Sequence, residues 1–269
     1  MSAPSHTERR STDALALEIA RCPIIQAVRI GDPTGDACRE VVSYQKRPPL
    51  IRWVPEPWSG HLSSAPILFL SSNPSSGKPD GKPTPTETIA SSLDEQVLHN
   101  FEDAFDEGPW PGVLDGEYVR LPDGLRADYV PYWHWCKVVA EELLGRAVRP
   151  GHDYALTEVV HCGSRSETGV KKAARECVPR YLKRVLGASS APVIVVVGAV
   201  ARDMVKAFFP SVRGGKRRVA SVEISDHERH LVFLPHPSAY GPKTIRDNFK
   251  PDGDIVLAEL RQALNIVRR

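Results

Sequence analysis

Residues 192–198 read PVIVVVG, a short run of almost entirely β-branched side chains that ends in a glycine. β-Branched residues favour strands, and a strand that is apolar at every position is typical of a parallel sheet covered on both faces. This stretch therefore predicts a buried strand over residues 192–197, which turns through Gly198 into a helix over residues 200–209.

Three similar runs lie elsewhere in the chain, at residues 66–70, 154–160 and 230–234. Apolar residues at helical spacing lie around and between them, and they predict helices over residues 13–20, 91–105, 133–144, 170–186 and 255–267. Strands that alternate with helices form a parallel sheet with helices on both faces. We therefore predict an α/β fold, a three-layer αβα arrangement around a mostly parallel four-stranded central sheet.

The composition is that of an ordinary globular protein, with 41% hydrophobic and 25% charged residues in 269. The polar residues 1–12 predict a disordered tail, and residues 13–269 predict a single domain in which the Pro/Gly-rich stretch 79–131 is an insertion or lid. Apolar runs too short for a bilayer, and the lack of a signal-peptide core, indicate a cytoplasmic protein without a membrane partner. We expect a monomer.

The charge balance excludes a uniformly basic surface, since 35 Lys and Arg face 33 Asp and Glu. Contact with nucleic acid would need local patches, and basic residues do cluster at 171–175, 180–184 and 213–218. The five cysteines are an odd number, which disfavours a disulfide framework and leaves metal ligation or free thiols. No Walker-type or dinucleotide motif is present, so no nucleotide cofactor is expected.

Ligands of parallel sheets bind beyond the carboxyl ends of the strands, and two such ends carry short polar motifs. The first strand runs into Asn73-Pro74, and the last runs into His236-Pro237-Ser238. Between them the chain reads TEVVHC at residues 157–162 and CVPRYL at residues 177–182. The order and the strand-end placement of these motifs make the joint pattern more specific than any one of them.

These motifs resemble the uracil-DNA glycosylase superfamily, over about residues 52–269. In that family the first-loop Asn or Asp positions the attacking water, and the last-loop His stabilises the departing base, so the resemblance implies these roles for Asn73 and His236. Both suit the chemistry, because hydrolysis of an N-glycosidic bond needs a placed water and a donor for the charge on the leaving base.

A base inside a duplex reaches such a site only when it is flipped out and stacked on a ring. The family carries an aromatic residue after a proline at this point, and Tyr132 follows Pro131 here. Trp133, Trp135, Phe101 and Phe105 are competing candidates. Ser72 joins Tyr132 as a predicted base contact, and the predicted phosphate contacts are Ser75, Ser76, Lys78, Ser238 and Lys243.

The chain departs from the family at Glu158, where uracil-reading members generally carry Asn. An ionised carboxylate only accepts hydrogen bonds, and it therefore suits the exocyclic amine of cytosine better than O4 of uracil. The small residues Ser75, Ser76 and Gly77 leave the C5 side of the base open. Both features favour a 5-substituted cytosine, such as a modified base of phage DNA, as the substrate. A protonated or ion-paired Glu158 would leave uracil as the substrate.

The cysteines add a cofactor question. Cys162 and Cys177 match the third and fourth ligands of the cluster found in iron-sulfur branches of the family. The first two would be Cys22 and Cys38, which stand 16 positions apart rather than as C-x-x-C. A [4Fe-4S] cluster, zinc and buried free thiols remain the alternatives.

The sequence thus predicts a monofunctional DNA glycosylase that leaves an abasic site, with DNA as its partner and an antiphage role if the base is a modified cytosine. A uracil-excising repair enzyme is the alternative. An inactive domain that binds a modified base or single-stranded DNA is the alternative of another class.

Overall fold

The computed structural model describes residues 6–43, 54–74, 93–106, 112–121, 124–212 and 219–266. Its strands are β1 (Ile67–Ser71), β2 (Gly112–Leu114), β3 (Tyr118–Arg120), β4 (Arg126–Tyr129), β5 (Tyr154–Glu158), β6 (Val193–Val197), β7 (Val219–Ile224) and β8 (His227–Leu234). Its α-helices are α1 (His6–Ala20), α2 (Pro23–Ile30), α3 (Arg39–Ser43), α4 (Asp94–Glu102), α5 (Pro131–Leu144), α6 (Val170–Cys177), α7 (Lys183–Ala188), α8 (Gly198–Phe208), α9 (Ile245–Asn248) and α10 (Gly253–Ile266).

The main sheet has the order β5-β1-β6-β8-β7, and β5, β1, β6 and β8 run parallel. The α/β class and the mostly parallel sheet are therefore confirmed, but the sheet has five strands rather than four. The additional strand, β7, pairs antiparallel with β8 at the edge. Ser225 and Asp226 join the two with positive φ angles of 51° and 62°. Such a two-residue turn usually carries Asn-Gly or Asp-Gly, so Ser-Asp gave little sequence signal for a hairpin.

The strands bury alternate side chains on the two faces of the sheet. Leu68 and Ile194 pack with helices α1, α2, α3, α6, α7 and α8, whereas Phe69 and Val195 pack with α5 and α10. Every residue of β6 is at most 1% exposed, as its unbroken apolar sequence predicts. Burial of side chains of this size contributes about 1.5–3 kcal/mol each.

The N-terminal segment differs from its prediction. Helix α1 begins at His6, so residues 6–12 are helical rather than part of a disordered tail. Residues 13–20 carry the apolar positions, such as Ile19, and the helix extends past them toward the N-terminus because helix formation propagates from a packed turn. In the described part of the chain, no helix combines the length and the apolarity needed to span a membrane.

The predicted insertion, residues 79–131, is described only in part. It contributes α4 and a small antiparallel sheet with the order β2-β3-β4. The stretch before β1 is more regular than expected. Ser59 exchanges backbone hydrogen bonds with Leu156 at 2.8 and 2.9 Å, so residues 54–62 run antiparallel along the outer edge of β5. This segment places Glu56 at the carboxyl edge of the sheet and His61 at the amino edge.

Candidate functional site

A cleft of about 1590 Å³ opens at the carboxyl edge of the parallel strands. It lies between the ends of β1, β5, β6 and β8, the start of α5, and α4. Its lining includes residues from both predicted motif loops and from the middle strand: Ser72, Asn73, Tyr132, Glu158, His236 and Ser238. The fold therefore brings together six side chains that are up to 166 positions apart in the chain.

Asn73 is held by its amide nitrogen just beyond β1. Nδ2 donates to the carbonyl of Pro74 at 2.8 Å and to the hydroxyl of Ser164 at 3.1 Å. The amide oxygen, Oδ1, accepts only a long contact of 3.4 Å from Ser72 Oγ. With Nδ2 occupied, Oδ1 is the atom of Asn73 that is suited to accept a hydrogen bond from a water in the cleft.

His236 is fixed by the loop that follows β8. The backbone N–H of Ser238 donates to Nδ1 at 3.2 Å, and Ser238 Oγ lies 2.7 Å from the same nitrogen. Because Nδ1 accepts, the proton of the neutral ring resides on Nε2. Partial burial lowers the pKa of His236, so the ring is neutral near pH 7, with Nε2–H available as a donor.

Tyr132 lies in the first turn of α5 and stacks on His236. The ring centroids are 5.8 Å apart and the planes differ by 6°. Burial first, and then Cys136 and Glu158, raise the pKa of Tyr132, so its phenol stays protonated. Among its competitors, Trp133 and Phe101 also line the cleft, whereas Trp135 donates Nε1–H to the carbonyl of Lys243 at 2.7 Å as part of the core.

Glu158 shares the cleft lining with three other acidic residues, Glu56, Glu167 and Asp203. Glu158 ends β5, opposite Ser71 of β1, and Glu56 lies on the adjoining edge segment. Burial first, and then the neighbouring Glu56, raise the pKa of Glu158 well above its usual range. Burial raises the pKa of Glu56 to about 7.

The raised pKa favours the neutral acid over the ionised carboxylate for Glu158, because a low-dielectric site shared with a second carboxyl disfavours the charged form. The sequence patterns did not identify Glu56, because it lies between two prolines in a stretch without periodicity. Only the pairing of residues 54–62 with the edge of β5 brings it to the cleft.

The predicted DNA contacts are only partly placed. Ser75, Ser76 and Lys78 lie outside the described residues, as does the basic stretch 213–218. Lys243 donates to the carbonyl oxygens of Pro237 and Ala239, so it braces the last loop.

The other predicted basic patches lie partly in ion pairs. Arg184 makes a bidentate pair with Glu18, at 2.9 and 2.6 Å, and Lys172 lies 3.0 Å from Glu40. Arg202, which pairs with Asp203 at 3.1 Å, and Lys206 lie on α8 and line the cleft. The sequence placed α8 but gave no signal for which of its faces meets the site.

All five cysteines are buried. Cys22, Cys38, Cys162 and Cys177 belong to one core cluster behind the site, whereas Cys136 lies on the opposite face of the sheet. Burial first, and then the other three thiols, raise the pKa of Cys162. The described cysteines form no disulfide, and the ligand set Cys22, Cys38, Cys162 and Cys177 stays a prediction.

The thiols have donors and cations beside them. The hydroxyl of Tyr181 donates to Cys22 Sγ at 3.5 Å. Burial first, and then the neighbouring thiols, raise the pKa of both Cys38 and Cys177, and the positive charge of Arg180 offsets a small part of that rise. A tetrahedral zinc ion with bonds of about 2.3 Å would hold its sulfurs about 3.8 Å apart. In the described chain no three cysteine sulfurs lie within 4.8 Å of one another, which disfavours zinc at this position.

A scan against protein-family models and a search of curated proteins returned no match for this chain.

Proposed function

We propose that the chain is a monofunctional DNA glycosylase of the uracil-DNA glycosylase type, which hydrolyses the N-glycosidic bond of a flipped pyrimidine. The observation that carries the proposal is the joint position of Asn73 and His236 in the lining of one cleft, where hydrogen bonds to Asn73 Nδ2 and His236 Nδ1 leave Oδ1 and Nε2 as the atoms suited to a substrate. One residue supplies an acceptor for water, and the other a donor for a base oxygen.

The reaction follows from these two atoms. Asn73 Oδ1 accepts a hydrogen bond from the water and holds it beneath C1′ of the sugar. As the bond between C1′ and the base nitrogen breaks, both its electrons go to the base, and Nε2–H of His236 donates to the base oxygen where charge collects. A neutral donor suits this step because it stabilises the anion without being deprotonated itself. The water adds to C1′ and its proton passes to the departing base anion, which leaves an abasic sugar and the neutral free base.

Tyr132 supports the extrusion of the base from the duplex. Its ring stacks on His236 and faces the cleft, so a flipped base would find an aromatic platform. Tyr240, in the loop after His236, is fully exposed. An exposed aromatic side chain beside the cleft is suited to enter the gap that a flipped nucleotide leaves in the stack.

A 5-substituted cytosine is the substrate that we favour, and the cleft has room for its substituent. Its volume of about 1590 Å³ exceeds the roughly 300–1,000 Å³ typical of small-molecule sites and leaves room beside a pyrimidine ring. Protonated Glu158 offers one donor and one acceptor, which match N3 and N4–H of cytosine. The same carboxyl also matches O4 and N3–H of uracil, so uracil is the second candidate.

A [4Fe-4S] cluster bound by Cys22, Cys38, Cys162 and Cys177 forms part of the proposal. The convergence of four buried thiols, with the Tyr181 hydroxyl on one sulfur and Arg180 nearby, fits an anionic cluster with thiolate ligands. When bound, the cluster would serve to fix structure. The cysteines hold α6 and the loop after β5 behind the cleft, and the cluster would take no part in bond cleavage.

The deciding experiment is an alkaline-cleavage assay on oligonucleotides that carry uracil, cytosine or a 5-substituted cytosine. We expect Asn73→Ala and His236→Ala each to lower the single-turnover rate by about 10²–10³-fold. DNA affinity should stay within a few-fold, because neither side chain carries charge to a phosphate. His227→Ala, at an exposed position in the β7–β8 hairpin, is the matched control.

The proposal is supported if alkali cleaves oligonucleotides treated with the wild-type protein but not those treated with Asn73→Ala or His236→Ala. If wild type binds the modified oligonucleotides but releases no base from any of them, the domain is a binding protein. Equal rates in wild type and both variants would remove Asn73 and His236 from the reaction.

A further inference from the structure

Three potential metal ligands meet at the amino edge of the sheet, away from the cleft. They are His61, in the turn before β1, Asp106, just after α4, and His152, immediately before β5. Nε2 of His61 lies 3.2 Å from Asp106 Oδ2, and Nε2 of His152 lies 3.2 Å from Asp106 Oδ1. All three ligand atoms lie within 4.8 Å of one another.

We propose that this group, the His61–Asp106–His152 site, binds a divalent transition-metal ion of the zinc class. Two imidazole nitrogens and one carboxylate oxygen are ligands that zinc favours. Four ligands bound at about 2.0–2.1 Å in a tetrahedron stand about 3.3 Å apart. The two observed contacts of 3.2 Å match this separation and lie at the long end of the range for N–H···O hydrogen bonds.

The two imidazoles are held in place before any ion arrives. The backbone N–H of His61 donates to the carbonyl of Gly151 at 2.8 Å. Gly60 approaches the same loop so closely, at a φ of +91°, that a Cβ atom there would lie 2.7 Å from Gly151 Cα. The rings of His61 and His152 consequently stand 4.2 Å apart, with their planes tilted by 43°. Such preorganisation lowers the entropic cost of binding an ion.

Two further side chains, Asp103 and Arg149, lie beside the three ligands. Asp103 Oδ1 lies 4.0 Å from His61 Nε2, and the second carboxylate oxygen of Asp103 bonds to His99 at 2.5 Å. Arg149 forms an ion pair with Asp106 at 3.3 Å, and its side chain is 69% exposed. This arginine can swing into solvent when an ion takes its place. Water can complete the coordination, because the three main ligands are only partly buried.

Binding at this site would stabilise one wall of the cleft. Asn100, Phe101 and Ala104 line the cleft and lie on the same helical segment that leads to Asp106. An ion held by Asp106 would tie this segment to the loops before β1 and β5. The inference does not depend on the glycosylase proposal, since the ion takes no part in the reaction.

The test is titration of EDTA-dialysed full-length protein with Co²⁺, followed by displacement with Zn²⁺. We expect one equivalent of Co²⁺ with visible d–d bands and without the near-ultraviolet charge-transfer bands that cysteine thiolates produce. Zn²⁺ should abolish the bands and raise Tm by several degrees, because an ion that binds only the folded state stabilises it.

Asp106→Asn and His152→Ala are the diagnostic variants. The first retains the hydrogen-bonding shape of the side chain while removing its charge, and circular dichroism checks that both variants fold. Each should weaken Co²⁺ binding by about 100-fold or more, above the range seen for outer-shell changes. His227→Ala, at an exposed position in the β7–β8 hairpin, should bind Co²⁺ as wild type does.

The inference is overturned if wild type binds no Co²⁺ at micromolar concentration, or if the two variants bind it unchanged. Co²⁺ spectra dominated by thiolate bands would place the ion at the cysteines instead. If the protein binds Co²⁺ at this site but excises no base, only the proposed function is contradicted.

Discussion

At the scale of single residues, protonation of Glu158 controls what the cleft offers to a base. The neutral acid donates and accepts, whereas the carboxylate only accepts. The groups that face it are Glu56, Tyr132 and Cys136, and none of these is a cation. Excision of uracil, whose O4 needs a donor, should therefore be highest at low pH and fall as pH rises through the raised pKa of Glu158.

Glu158→Gln separates this effect from other titrations, because glutamine keeps a donor and an acceptor at every pH. We expect it to flatten the alkaline limb of kcat/KM measured between about pH 6 and pH 9. Above the raised pKa of Glu158, where the wild-type carboxylate only accepts, Glu158→Asn should raise the rate on uracil relative to cytosine-type bases, by about tenfold for a contact worth about 1–3 kcal/mol. An unchanged pH profile and an unchanged base ratio in both variants would show that Glu158 does not contact the base.

Glu56 makes a separate prediction about stability. Its pKa is about 7 in the folded protein, above the ordinary value of 4.5, so the folded chain retains a proton that the unfolded chain has lost. The free energy of unfolding should therefore decrease as pH rises from 4.5 to about 7.

Glu56→Gln should remove this dependence. We expect the variant to be more stable than wild type by about 1–3 kcal/mol above pH 7, with no difference at low pH. Urea unfolding at several pH values measures this difference in the free energy of unfolding. Glu259→Gln, at an exposed position on α10, is the control. Parallel pH curves for wild type and Glu56→Gln would mean that Glu56 titrates normally.

At the scale of elements, the proposed iron-sulfur cluster would join α6 and the loop after β5 to the N-terminal helices. Anaerobically purified protein should be brown, and Cys162→Ser or Cys177→Ser should remove the visible absorption together with the bound iron. Cys136→Ser is the matched control, since Cys136 is buried on the other face of the sheet. Colourless wild-type protein without iron would leave these cysteines as free thiols.

Helix α1 is an integral part of the same layer. Ile19 is fully buried among the helices that cover one face of the sheet. Ile19→Ala should therefore destabilise the protein by about 2–5 kcal/mol in urea unfolding. Ala14→Ser, at an exposed position of α1, should change stability by less than about 0.5 kcal/mol. Similar values for the two variants would show that the helix does not pack against the domain.

At the scale of the whole molecule, the net charge of +2 means that DNA affinity depends on where the basic residues lie. Arg202 and Lys206 line the cleft, while Arg184 is paired with Glu18 elsewhere. We expect Lys206→Ala to weaken binding to all DNA sequences alike and to reduce the slope of log affinity against log salt by about one. Arg184→Ala should leave the slope unchanged, and equal slopes in all three proteins would place the DNA on another face.

The sequence by itself determined the α/β class, the four parallel strands and the strand-end loops that carry Asn73 and His236. Each of these depends on local patterns: β-branched runs buried on both faces, helical periodicity, and polar motifs directly after strands. The parallel order then requires those loops to meet at one edge of the sheet. The β7 strand was missed because its alternating, half-exposed residues and its Ser-Asp turn carry little local signal.

Only the tertiary structure decided which groups share a site and in which protonation state. Glu56 joins Glu158 through a pairing across 100 positions of the chain, between residues 57 and 157, that no local pattern encodes. The pKa of each carboxyl then depends on burial and on the other, which are properties of the folded neighbourhood. The same holds for the His61–Asp106–His152 site. Its three ligands come from separate loops, and they become neighbours only because β1 and β5 lie side by side in the sheet.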